Sequence, residues 1–432
     1  MTRFLRLSLA GFGAVLVALG LFWAAFQPGR EIRGTWVSEG HGLVFDIGRL
    51  RMQIHEITPL SCVASASIPA NTYLLSRVAG YRFAAEGDTL SVTVDELAAP
   101  IRAIRAPRPE ICDEPTPATP SAIFDVAWQT FDRHYPHFAD MGIDWTARRD
   151  LGAGLEDAAA LAAALEASVA GLDAPQVVLD LGTRAVFGGT RPDWTGNAGY
   201  YASITEAKLT DMGRLPDAGI THGLLPGRIA YFRIDHLEPR RRYGRSTRSM
   251  AQGILSELAS GYDEMTGLVL DLRWNTGGHH AAALGYAGLI GPAPRTIGSQ
   301  QLRTGPEGLG RPVPLVVPAS ELRGVDVPVV VLTSAATLGA AEVLVLALKG
   351  QPGVTILGEP TAGSLSDQML RHLPNGWRVG LPHQIIRDTA GAAFDGRGLP
   401  PDIRHPLDTS GFTAGRDTAL TRALALLGGH QQ

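Results

Sequence analysis

Two strand-to-turn junctions hold residue types that could do chemistry. In GLVLDLRWNTGG (267–278) an apolar run ends in Asp271, Leu272 and Arg273 and enters Asn275, Thr276, Gly277 and Gly278. Glycines at such a place let the backbone approach a ligand and turn its amides toward it, although a tight turn without a ligand has the same composition. In VPVVVLTSAATLGAAEVLVLALK (327–349) a strand ends at Thr333 and Ser334, crosses a short elbow and enters a helix near Gly339. The first amides of that helix carry the positive end of its dipole and suit an oxyanion. Hydroxyls at Ser334, Ser364 and Ser366 and imidazoles at His279 and His280 lie in or near these stretches. A strand-end hydroxyl is more often satisfied by the backbone, and paired histidines after a glycine turn more often form a rim. His134 and His137 in HYPH invite a metal reading, but Pro136 breaks the helix that would align them, so no metal site is assigned. No HExxH, GxSxG, P-loop or GxGxxG with a ribose acid occurs, so no cofactor is expected. Lys208 and Lys349 are the only lysines, which leaves two candidates for a lysine base.

The elements that would position these residues follow from patterning. The chain has 432 residues, 45% of them hydrophobic and 19% charged, with a net charge of −4. That balance excludes a disordered chain and a general nucleic-acid binder. Residues 31–112 carry short alternating runs such as GLVFDIG, RMQIHEI and TLSVTV, which predict an antiparallel β module, either a sheet or a small barrel. A proline-rich linker spans 113–120. In the helical region 121–184, Ser121 is the expected N-cap and Phe124, Trp128, Phe131 and Tyr135 share one face. A second, alanine-rich helix carries Leu161, Leu165 and Val169. From 185 to 432, apolar runs at 228–234, 267–273, 327–333 and 354–357 alternate with helical segments, the pattern of an α/β core with crossover-connected strands.

Taken in order, FDRHYPHFADMGIDW, ITHGLLPGRIAYFRI, DLRWNTGG, TSAATLGAAE, GEPTAG, LPNGWRVGLP and FDGRGLPPDI resemble the tail-specific, or C-terminal-processing, serine peptidase family, across about residues 121–427. The resemblance implies a core of ClpP- and crotonase-like strand-helix layers and serine peptidase action on polypeptides. No segment reads as the PDZ module that many members carry. The resemblance also locates a triad whose positions all depart from the family. Counting three residues back from Glu342 lands on Gly339, which has no hydroxyl; the histidine position in LDAPQV is Gln176; and the glutamate position is Asp395. Glutamine cannot shuttle a proton at neutral pH. Where lysine-dyad members place their lysine, this chain has Ser364. Gly277 or Gly278 and the amide of Ala340 would form the oxyanion hole. The favoured expectation is a homologue that binds polypeptides without cleaving them. The alternatives are a working peptidase with a relocated nucleophile, Ser334 or Ser364, and a structural or lipid-binding module.

Arg3 and Arg6 precede an uncharged span, Leu7 to Phe26, long enough to cross a bilayer as a helix. It reads as a signal anchor or a signal peptide within 1–29; the lack of a clean small-x-small cleavage site favours the anchor. The body would then lie in the periplasm or extracellular space, with the membrane as a partner through this segment. Cys62 and Cys112 fit an oxidising compartment as a disulfide, with two buried free thiols as the bland alternative. Oligomeric state and ligand identity are not legible.

Overall fold

A computed structural model describes residues 28–69, 76, 80–239, 245–305 and 308–428; the uncharged span 7–26 lies outside the described residues. Among the described residues no helix is long and apolar enough to cross a membrane. The chain divides into two compact units, one of residues up to Val94 together with Pro100–Ala118, the other of Asp95–Ala99 together with Thr119 onward.

The first unit is an antiparallel sheet of β1 (Gly34–Ser38), β2 (Leu43–Ile47), β3 (Arg51–Thr58), β4 (Ser61–Pro69), β5 (Tyr81–Glu86), β6 (Thr89–Val94) and β7 (Ile101–Arg105). Its order, β4-β3-β2-β1-β7-β6-β5, leaves β4 and β5 as edges, so the sheet is open rather than a closed barrel. Alternation along β6 buries every second residue, and Trp36, Val44, Leu90 and Ala103 are fully enclosed. Cys62 at the start of β4 is bonded to Cys112 across 50 residues. Thr116 Oγ1 brackets the same strand start, accepting from Cys62 N at 2.9 Å and donating to its carbonyl. A cross-link closing a loop of 50 residues is expected to stabilise this unit by about 4 kcal/mol. Chemical denaturation of the Cys62→Ser, Cys112→Ser double variant checks it; an unchanged midpoint for the β-sheet transition would show the bridge to be dispensable.

The second unit opens with α1 (Pro120–His134). Thr119, not Ser121, is its N-cap, accepting from Ala122 N, because Pro120 occupies the first helical position, where a missing N–H costs nothing. Ser121 Oγ instead accepts from Leu155 N. Next come α2 (Ala158–Val169), capped by Asp157, then β8 (Val178–Asp180) and β9 (Ala185–Phe187). The apolar stripes of both helices meet in one core containing Phe124, Trp128, Phe131, Leu161, Leu165 and Val169.

The α/β layers then follow as β10 (Thr210–Leu215), β11 (Ile220–Leu225), β12 (Ile229–Ile234), α3 (Thr247–Gly261), β13 (Gly267–Asp271), α4 (His280–Ala287), β14 (Arg295–Gly305), β15 (Gly308–Leu309), β16 (Val313–Val317), β17 (Val329–Thr333), α5 (Ala340–Leu348), β18 (Val354–Gly358), β19 (Gln368–His372), β20 (Arg378–Pro382), β21 (Gln384–Asp388), β22 (Ile403–Arg404) and α6 (Thr418–Gly428). The main sheet runs β10-β11-β12-β13-β17-β18-β22 and is parallel from β12 onward. Every residue of β13 and β17 is buried, as strands covered on both faces require. One face packs α3, α4 and α5, whose apolar side chains join Leu268, Leu270, Val329 and Val331; the other packs α6 through Leu420, Ala423 and Leu427. β8 lies within the stretch expected to be helical, yet it pairs with β20 in a separate β19-β20-β8-β9 sheet. That pairing carries residues 174–177, just before β8, to the α/β layers.

Candidate functional site

Because β13 and β17 are parallel neighbours, the turns leaving their carboxyl ends lie side by side. The β13 turn is anchored from below. Arg273, 1% exposed, donates from Nη2 to Asp271 Oδ2 at 2.7 Å and to Asp417 Oδ2 at 2.8 Å, and Tyr231 donates to Asp271. Asn275 Nδ2 donates to Ile234 O, and its Oδ1 accepts from Gly277 N at 2.8 Å. The Gly277 amide is therefore spent on the turn. Neither Gly278 N nor Ala340 N donates to a described residue, so of the expected oxyanion amides these two remain available. Gly278 has φ +130°, and a Cβ there would lie 2.6 Å from Leu237 C, so only glycine suits this turn.

The β17 elbow is pinned by its own hydroxyls. Ser334 is completely buried; its Oγ donates to Arg273 O and accepts from Ala336 N at 3.1 Å. Thr337 Oγ1 donates to Leu272 O at 2.9 Å and accepts from Ser334 N. With both functions of its hydroxyl occupied, Ser334 is a structural tie between the turns and is withdrawn as a nucleophile candidate. Ser366 is committed likewise, donating to Asp367 O and accepting from His383 N and Gln384 N.

Gly339 then enters α5 at φ 60°, ψ −121°. A Cβ built on it would lie 3.4 Å from Gln176 Nε2, 3.7 Å from Gly277 Cα and 4.0 Å from Ser364 O. Gly339, Gln176 and Gly277, brought from three distant parts of the chain, therefore converge on one point. Gln176 is not free there. Its Nε2 donates to Ser364 O at 3.0 Å and to Ser366 O at 2.5 Å, while its buried Oε1 has no partner.

Under the elbow sits Glu342, fully buried, which accepts from Gly339 N (3.1 Å), Thr361 Oγ1 (2.5 Å), Gly363 N (2.7 Å) and Ser364 N (2.8 Å). Burial pushes its carboxyl up to about 7 against the pull of these four donors. One side chain thus ties the helix start to the 361–364 loop.

Beside the elbow opens a cavity of about 500 Å³ whose wall includes Ala335, Leu338, Gly363, Ser364, Asp395 and His137. Asp395 Oδ1 accepts from Leu365 N at 3.2 Å, and burial raises its pKa, opposed chiefly by His137. His137 is 5% exposed, with Nε2 3.8 Å from Asp395 Oδ1 and Nδ1 3.3 Å from Asp140 Oδ2. Among the described residues no cluster of three or more His, Cys, Asp or Glu could hold a metal. His137 was missed as a site residue: the signal was Pro136, which ends α1 and sends the next residue into the cavity wall, but it was weighed only for metal alignment. His280 is fully buried, with its pKa lowered by that burial, and His279 precedes the first residue of α4. Lys349 closes the far end of α5 and pairs with Asp402 at 2.7 Å, so it offers the elbow no base.

Residues 228–405 match the family model described as peptidase family S41. Among solved structures, a candidate peptidase from Parabacteroides merdae aligns with a TM-score of 0.61 and 23% identity, covering 72% of this chain and 97% of its own. Mature CPAF aligns with a TM-score of 0.50 and 11% identity over 69% of this chain and 94% of its own. A photosystem II D1 C-terminal processing protease aligns with a TM-score of 0.42 and 20% identity over 70% and 99%.

Proposed function

Residues 228–405 belong to peptidase family S41, the tail-specific protease family, and from that premise we propose that this chain holds polypeptides in the family's site without cleaving them. One observation carries the reading: a side chain at 339 would point at residue 176 beside the Gly277 turn, so the elbow is built, yet the two positions hold glycine and glutamine. Neither residue supplies a nucleophile or a base. What remains are the Gly278 and Ala340 amides at a helix start, which suit a peptide carbonyl or terminal carboxylate.

Asp395 is assigned to the family's triad-acid position by sequence resemblance. The chain is further read as anchored by its N-terminal segment with the body outside the inner membrane, a reading supported by the uncharged span and by a disulfide suited to an oxidising compartment. Fractionation that finds a shortened, wholly soluble protein would remove the anchor.

Peptide-array binding tests the central reading. Peptides with free C-terminal carboxylates should bind the wild-type chain, and Gly278→Ala should weaken binding at least tenfold, because the new Cβ forces the turn away from Leu237. Absent binding, or binding indifferent to Gly278→Ala in a folded variant, favours a purely structural role.

A further inference from the structure

β9 lies outermost in the β19-β20-β8-β9 sheet, and its far end leads to the cavity. After Phe187 the chain passes through Gly188 and Gly189 to Thr190, Arg191 and Pro192, which line the cavity wall. The register shows which backbone groups of β9 are committed. β8 and β9 are antiparallel, with Leu179 opposite Val186 and Val178 opposite Phe187. Gly188 N donates to Val177 O at 2.8 Å, and Leu181 N donates to Arg184 O at 2.9 Å. The hydrogen-bonded pairs of this ladder are therefore Val177 with Gly188, Leu179 with Val186 and Leu181 with Arg184. Ala185 and Phe187 fall between them. Their N–H and C=O groups point away from β8, and β9 pairs with no other described strand.

This edge is also undefended. Sheets commonly blunt an open edge with charge, proline or a covering loop. β19, at the opposite side of the same sheet, carries Arg371 and His372, and Arg371 Nη1 donates to the Leu370 carbonyl at 3.1 Å. β9 reads Ala-Val-Phe, with Ala185 exposed and Phe187 64% exposed. On the outer face of the sheet, Phe187 stands in one row with Val178, Gly380 and Leu370, so the edge ends an apolar row that solvent reaches at both ends. A strand added beside β9 places an alternate side chain against that row.

We propose that β9 pairs through its backbone with an extended stretch of the polypeptide whose carboxyl end the elbow holds. The inference rests on the peptide-binding reading above. β9 runs toward the cavity, so a chain that ends in the cavity runs the same way and the added strand is parallel. Thr190 follows Ala185 by five residues, about 17 Å of extended chain. A ligand therefore gains from the edge only when it extends roughly that far out of the cavity. Main-chain bonds supply the affinity, and β-branched or aromatic side chains at alternate positions suit the place beside Phe187.

The test uses the full-length chain in detergent and two fluorescent peptides with free C-terminal carboxylates, a trimer and a threonine-rich 12-mer ending in the same three residues. The 12-mer should bind at least tenfold more tightly. Phe187→Pro removes an outward N–H and leaves Val186 and Gly188 to pair with β8, so it should bring the 12-mer down to the trimer's affinity and leave the trimer unchanged. Two further 12-mers carry N-methyl groups on the odd or on the even residues upstream of the shared three. One should lose the gain and the other keep it, because alternate amides of a paired strand face its neighbour. Equal binding of trimer and 12-mer overturns the edge and leaves the elbow reading standing. A gain that ignores Phe187→Pro, or is the same whichever amides are methylated, also overturns the edge. If the 12-mer binds with the alternating pattern while the trimer does not, and Gly278→Ala changes nothing, the edge stands and the elbow reading fails. If neither peptide binds, both fall. Sedimentation of the free chain as a dimer that Phe187→Pro dissolves, with peptide affinity unchanged, assigns the edge to a second copy instead and overturns the proposal.

Discussion

Incubated with unfolded polypeptide, the purified chain is expected to release no product above background, and Ser334→Ala and Ser364→Ala are expected to change nothing. Removing the nucleophile of a serine triad typically lowers turnover by about a million-fold, and the chain lacks a base at 176 as well. Ser364 is the rival to watch, since it lines the cavity and its hydroxyl bonds to no described residue. Robust cleavage abolished by Ser364→Ala would establish a relocated site. The converse experiment rebuilds the triad. Gly339→Ser alone has a hydroxyl without a base, and Gln176→His alone a base with nothing to activate, so neither single variant should react with a fluorophosphonate probe. The two together, with Asp395→Glu to recover the missing methylene, should take the label. A folded triple variant that stays unlabelled would show that the alignment of Gly339, Gln176 and Asp395 with the family's triad is wrong.

A second large effect is expected at Glu342, and it has a sign. The folded-state pKa, about 7, lies above the ordinary value of 4.5, so between these two the native protein binds more protons than the unfolded chain. Stability from this group is then fully present below about pH 4.5 and falls as pH rises through 7. A displacement of that size corresponds to roughly 3 kcal/mol. Denaturant midpoints measured from pH 5 to pH 8 should therefore decline, and Glu342→Gln should remove that decline. At pH 5 the variant should nonetheless be less stable, by roughly 2 to 4 kcal/mol, the gap narrowing as the wild type declines toward pH 8. An amide NH₂ cannot accept from the two backbone donors that meet one carboxylate oxygen, and a stranded buried donor costs about 1 to 3 kcal/mol. A flat profile in the wild type, or an unchanged slope in the variant, would mean that Glu342 stays ionised throughout.

The parallel layers were legible because β13 and β17 are short apolar runs bounded by turn residues, and such runs declare a strand buried on both faces. The elbow was legible too, as a strand passing into a helix through small residues. The backbone bonding expected of a strand-end hydroxyl could not be given a partner for Ser334 from sequence, because it depends on the neighbouring turn, here the carbonyl of Arg273, which lies 61 residues away. Gln176 could be placed only by resemblance, since no local pattern says that residue 176 will meet residues 364 and 366. His137 shows the opposite failure. The proline that ruled out a helical metal pair is what delivers the imidazole to the cavity, and that destination depends on the turn bearing Asp395, more than 250 residues on.

The backbone at Gly339, with φ 60° and ψ −121°, also sets a direction for change. Glycine rests there without strain, whereas a residue bearing a Cβ pays about 1 to 3 kcal/mol to be held in so sparsely populated a conformation. Exchange of a serine for glycine at this elbow is thus downhill in stability once activity is no longer selected, and the reverse exchange is uphill. A serine rebuilt at this elbow therefore calls for a background with stability to spare.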